Sequence, residues 1–104
     1  MDSLSTATGV GSRENNAPYT FVLQQNYPNP FNPSTFIRYQ VPKEESVSLT
    51  IFNTLGQRVA TLVDEKRKAG TYQVEWRPQL SSGVYCYHLQ AGEFVETKKL
   101  ILLK

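Results

Sequence analysis

Residues 83–104 read GVYCYHLQAGEFVETKKLILLK. Two strands joined by a tight turn are the simplest reading of this stretch. Tyr85, Tyr87 and Leu89 fall on one face of the first strand, because strand side chains alternate at period two. Ala91-Gly92-Glu93 supplies the turn, with Gly92 free to take the positive φ that tight hairpins require. The second strand runs from Phe94 to Leu103 and is apolar on both faces over Leu100–Leu103, stopping at Lys104. A chain end is ordinarily polar and frayed. This one needs cover, so the pattern predicts an inner strand of a sandwich that also carries an address at the carboxyl end.

Moving outward, Tyr72, Val74 and Trp76 alternate with Thr71, Gln73 and Glu75. Val47, Leu49 and Ile51 alternate with Ser46, Ser48 and Thr50, and Thr35, Ile37, Tyr39 and Val41 share one face of another strand. Gln57–Asp64 continues extended after a turn at Asn53-Thr54-Leu55-Gly56, with Gly56 in the special backbone position. EKRKAG, residues 65–70, reads as a solvated hairpin loop and not an anion site, since nothing near it extends the positive patch. A first short strand is expected around Phe21-Val22-Leu23. NYPNPFNPST, residues 26–35, cannot be helix or central strand, because each proline fixes its own φ and holds its predecessor extended. It is expected as a rigid arch crossing between sheets, with Tyr27 or Phe31 pinned to the core.

Seven strands, regular turn signals and no helical periodicity predict an all-β, antiparallel sandwich of immunoglobulin-like size. The Tyr72, Val74 and Trp76 face is expected to pack against Val47, Leu49 and Ile51. The 104 residues make one domain, with 39% apolar residues for its core. The Ser-, Thr-, Gly- and Asn-rich residues 1–18 have too little apolar surface to offset their ordering entropy. They read as a flexible linker or added tail, leaving residues 19–104 as the sandwich.

A net charge of +2 argues against nucleic acid or an anionic membrane as the main partner. No stretch is long enough to span a bilayer, and residues 1–11 lack the basic start and apolar run of a signal peptide. Cys86 has no second cysteine to bond. It shares a strand face with His88, the sole histidine, but at about 7 Å and with no third residue to orient the imidazole. Calcium-loop spacing, zinc-ligand clusters and phosphate loops are absent, so neither catalytic residues nor metal or cofactor ligands are assigned. Tyr19, Tyr27, Trp76 and Tyr85 could form a sugar-stacking platform only if exposed on one sheet.

YPNPFNPST, IRYQVP, LTIFNTLGQRVATLV, AGTYQVEW, SSGVYCYHL and ETKKLILLK stand in this order from Tyr27 to Lys104. In that order they resemble the C-terminal sorting domain of cargo for the type IX secretion system, type A class, over about Phe21 to Lys104. The chain is similar as well to the immunoglobulin-like domain of flagellar hook-capping proteins. The type IX resemblance implies a non-catalytic export signal behind an upstream cargo domain, passing through the periplasm to the cell surface or the medium. It implies an outer-membrane translocon as reader and a sortase-like cysteine peptidase that cleaves the domain, with the cargo released or joined to lipopolysaccharide. Carried over by motif, the recognition residues are Gly83, Tyr85, Lys98, Lys99, Leu100, Ile101, Leu102, Leu103 and Lys104. Leu55 and Gly56 match the family's turn. Trp76 is followed by Arg77-Pro78 where the family has Asp or Asn and Gly, and Cys86 stands where an aromatic is usual. A carbohydrate-binding or adhesion module on a secreted enzyme is the alternative, and a hook-capping assembly part a third.

Overall fold

A computed structural model describes residues 20–104. The linker, its cleavage and Tyr19 lie outside these residues. Seven strands follow one another: β1 (Val22–Leu23), β2 (Thr35–Val41), β3 (Glu45–Phe52), β4 (Arg58–Arg67), β5 (Gly70–Trp76), β6 (Gly83–Ala91) and β7 (Phe94–Leu102). They form two antiparallel sheets, β1-β2-β5 and β4-β3-β6-β7, packed as a sandwich.

The alternation in the sequence is the alternation of burial. Ile37, Tyr39 and Val41 from one sheet and Val47, Leu49, Ile51, Tyr87 and Leu89 from the other are essentially inaccessible. Each aliphatic side chain among these contributes about 1.5–3 kcal/mol by leaving water. Trp76 belongs to the same core cluster, Tyr72 and Val74 flank it, and the indole meets Tyr85 edge-on at 6.0 Å. Tyr72 stacks on Tyr39 at 5.4 Å, with the Arg67 guanidinium over its ring at 5.2 Å.

Three expectations about connections need correcting. Residues 65–70 are not a hairpin loop. Glu65, Lys66 and Arg67 remain in β4, paired with Val47, Ser46 and Glu45, and the chain then crosses to the other sheet. The proline arch does not cross between sheets, because β1 and β2, which it joins, are neighbours in one sheet. Nor is β7 an inner strand: it is an edge of the four-stranded sheet. Its apolar run has two separate destinations, described below.

Candidate functional site

The closing hairpin is held in register from Ala91↔Phe94 to Gly83↔Leu102. Its loop is Gly92-Glu93, with Gly92 at φ 61°, a backbone conformation that favours glycine, and a Cβ there would only displace the flexible Glu45 carboxylate. Cross-strand pairing puts Phe94, Glu96, Lys98, Leu100 and Leu102 of β7 on the inner side, beside Ala91, Leu89, Tyr87, Tyr85 and Gly83. Leu100 and Leu102 are buried in the core. Glu96 and Lys98 point the same way but are only half-buried, and form an ion pair at 3.2 Å. Phe94 closes the far end by stacking on Phe21 at 5.0 Å.

The other side of the hairpin faces solvent. Val84 lies directly opposite Ile101, and Cys86 opposite Lys99. His88 lies opposite Thr97, 2.8 Å from its hydroxyl. Val84 is 39% exposed and Leu103 52%, with Ile101 half-buried between Lys99 and exposed Lys104. The run Leu100–Leu103 therefore divides: even positions fill the core, and odd positions join Val84 in an apolar surface patch.

The proline arch fastens the end of β7. Phe31, buried against Trp76 at 5.8 Å, pairs in parallel with Leu102. Its N–H donates to the Ile101 carbonyl at 2.9 Å, and its carbonyl accepts from the Leu103 N–H at 3.0 Å. Asn29 Oδ1 accepts from the Ile101 N–H at 2.9 Å, and Gln25 Nε2 donates to the Lys99 carbonyl at 2.7 Å. Since N–H and C=O of one strand residue point the same way, Val95 and Thr97 also aim outward. Among the described residues, the rim of β7 is thus closed from the Lys99 carbonyl to Leu103 and open from Val95 to the Lys99 N–H.

A buried hydroxyl ties this arrangement down. Tyr87 Oη accepts from the Asn26 N–H at 2.8 Å and donates to the Gln24 carbonyl at 2.7 Å. Burial pushes this phenol up to about 12, the Asn26 N–H pulling it down and the Glu96 carboxylate adding to the rise. Asn26 itself donates to Thr35 Oγ1 at 3.0 Å, and Thr35 to the Pro28 carbonyl at 2.8 Å, so the arch is braced from within.

The residues assigned by motif therefore separate. Tyr85, Leu100 and Leu102 are buried, and Tyr85 Oη donates to the Ser81 carbonyl at 2.8 Å. Gly83 and Lys98 are half-buried, while Lys99, Leu103 and Lys104 are exposed and Ile101 lies between these classes. Leu55 is 82% exposed at the tip of the β3–β4 turn, where Gly56 takes φ 82° and Asn53 Oδ1 accepts from the Leu55 and Gln57 N–H groups at 2.9 and 3.0 Å. Phe52 pairs with Cys86, so this turn lies at the same end of the sheet as Gly83 and Leu102.

Sequence reasoning missed Gln25, Asn29 and Phe31 as the clamp on β7. The one available signal was Asn-Pro repetition, which marks turns but not their partner. Trp76 and Tyr85, two members of the supposed sugar platform, are buried. Among the described residues no three of His, Cys, Asp and Glu group as metal ligands. A family model described as the secretion system C-terminal sorting domain matches residues 25–103. No curated protein matches the chain.

Proposed function

Because the chain belongs to the family of secretion system C-terminal sorting domains, a type IX export signal and not a catalytic family, we propose how such a signal is displayed here. The domain carries an upstream cargo through the periplasm to an outer-membrane translocon and on to the cell surface or the medium. A sortase-like peptidase then removes it, releasing or anchoring the cargo. The translocon reads the solvent side of the closing hairpin: Lys99, Ile101, Leu103 and Lys104 of the tail, with Val84 beside them. Lys98 and the open rim of β7 add contacts, and Leu55 with Gly56 presents a second apolar point at the same end. Tyr85, Leu100 and Leu102 serve by holding that surface in place, and Gly83 by starting the strand.

The observation that carries this reading is the division of Leu100–Leu103. A core needs Leu100 and Leu102, but nothing in the fold requires Ile101 and Leu103 to be apolar. Surface aliphatics beside two lysines are chemistry suited to a partner surface with an apolar centre and an acidic rim.

The test is a reporter fusion ending in this domain, carrying Ile101→Glu and Leu103→Glu. Surface delivery should fall at least tenfold while the melting temperature of the purified domain shifts by only a few degrees. Leu100→Glu should lose both together. Undiminished delivery by the Ile101→Glu, Leu103→Glu fusion would sink the assignment.

A further inference from the structure

The outer face of the three-stranded sheet carries a feature that lies outside the proposed export surface. Tyr27 and Phe36 are paired by reciprocal hydrogen bonds, Tyr27 N–H to Phe36 C=O at 3.0 Å and Phe36 N–H to Tyr27 C=O at 2.9 Å. Residues so paired place their side chains side by side on one face. The two residues are 79% and 41% exposed, and neither ring stacks on another described aromatic. On the neighbouring row stands Arg38. Its Nε and Nη2 both donate to Gln73 Oε1, at 3.2 and 2.9 Å. That contact orients the guanidinium edge-on while leaving its charge uncompensated, since no described carboxylate pairs with it. Gln24 and Gln25 complete a depression of about 260 Å³.

This is an unusual use of a sheet's wet face. Two large rings in water, unneeded by the core, offer flat apolar surfaces to a ligand with an apolar face of its own. The remaining Arg38 N–H groups, the Gln24 amide and the Tyr27 hydroxyl offer hydrogen bonds around them. A pyranose ring matches both demands, with C–H bonds on its face and hydroxyls on its rim. No acidic residue lines the depression itself, and its one charge is a guanidinium, whose fork fits a carboxylate; Glu75, directly across from Phe36, has its charge offset by Arg77 at 4.0 Å. A nucleic acid would need a series of cations along the face, and among the described residues only Arg38 lines this depression. A peptide strand would need an open sheet edge, and this site lies on a face.

We propose that the Tyr27–Phe36–Arg38 depression binds an acidic pyranose, a uronic-acid ring of a polysaccharide. The volume suits one ring. Nothing in this assignment depends on the export reading.

The experiment is an NMR titration of the intact chain with tetragalacturonate, with cellotetraose as neutral and sodium acetate as non-sugar comparison. Tetragalacturonate should give saturable shifts at the Tyr27 and Phe36 rings and the Arg38 side chain. Phe36→Ala should abolish them with the rest of the spectrum unchanged. Arg38→Gln should weaken binding about tenfold, the loss of one charge-assisted contact, and erase the preference over cellotetraose. Absence of saturation, reproduction of the shifts by acetate, or indifference to Phe36→Ala would each overturn the proposal.

Discussion

The four-stranded sheet has two edges, and they are protected in different ways. At β4 the protection is written into the strand. Val63 pairs with Leu49 but Thr61 with Thr50, and Ala60 with Ile51 but Arg58 with Phe52, leaving Leu62 and Val59 as extra residues. Two such bulges twist an edge away from any incoming strand, and exposed Asp64, Glu65 and Lys66 add charge to it. At β7 no bulge interrupts the register. Its protection is borrowed: the arch clamps the last residues from some seventy positions earlier, and the inward Glu96–Lys98 pair guards the middle. A borrowed guard can be withdrawn without altering the strand itself. The edge that carries the proposed recognition residues is thus the one whose closure depends on a distant contact.

The largest effect that separates the two edges comes from Phe31→Ala. It empties a core position against Trp76 and should cost about 3–5 kcal/mol in chemical denaturation. Beyond that global loss, the Leu103 amide, held by the Phe31 carbonyl, should lose protection from hydrogen exchange faster than amides paired across β3–β4. Equal loss at both edges would mean that the arch is not a separate guard.

Next in size is Tyr87→Phe. Removing the hydroxyl leaves the buried Asn26 N–H without an acceptor, which costs about 1–3 kcal/mol. The pH dependence sharpens the assignment. The folded phenol titrates near 12 and the unfolded one near 10, so above pH 10 the unfolded chain releases a proton that the folded chain retains. The contribution is fully present below pH 10 and is lost as pH rises towards 12. Tyr39, also raised chiefly by burial, adds to the same alkaline decline. Tyr87→Phe should therefore flatten the fall in stability between pH 10 and 12 without abolishing it, as read from thermal melts across that range.

How far the sequence foretold this follows from what each feature rests on. Strands β2, β3, β5 and β6 were legible because one face of each is buried and the other wet, which is what period-two alternation records. The Gly92 turn was legible because backbone conformation restricted the residue. The arch's role was not, because its contacts with β7 are largely backbone hydrogen bonds, and any residue type can make those. Phe31 and Tyr27 look alike in sequence, yet one is buried and the other projects into water. Residues 65–67 look like loop in the sequence because a charged edge strand keeps no hydrophobic alternation. The tail misled for the opposite reason: core-facing Leu100 and Leu102 interleave with solvent-facing Ile101 and Leu103, imitating a strand buried on both faces. Separating the two sets required knowing that β7 lies at an edge.

The smallest effect on stability, and the most direct trial of the borrowed guard, is Glu96→Val with Lys98→Val. A half-exposed ion pair contributes about 0–1 kcal/mol, so the melt should hardly change. Solubility should change more. The two charges lie on the inner side of β7 next to the open rim, where a strand added to Val95–Lys99 would have to bury them or displace them. Valines would remove that obstacle and extend the apolar surface from Phe94 to Leu102. Sedimentation velocity should then show concentration-dependent self-association stronger than that of the parent chain. The same exchange at β4, Asp64→Val with Lys66→Val, should produce less, because the bulges still deflect a partner. Should the β4 variant associate as readily as the β7 variant, charge alone would protect both edges, and the bulges would have no share in the difference between them.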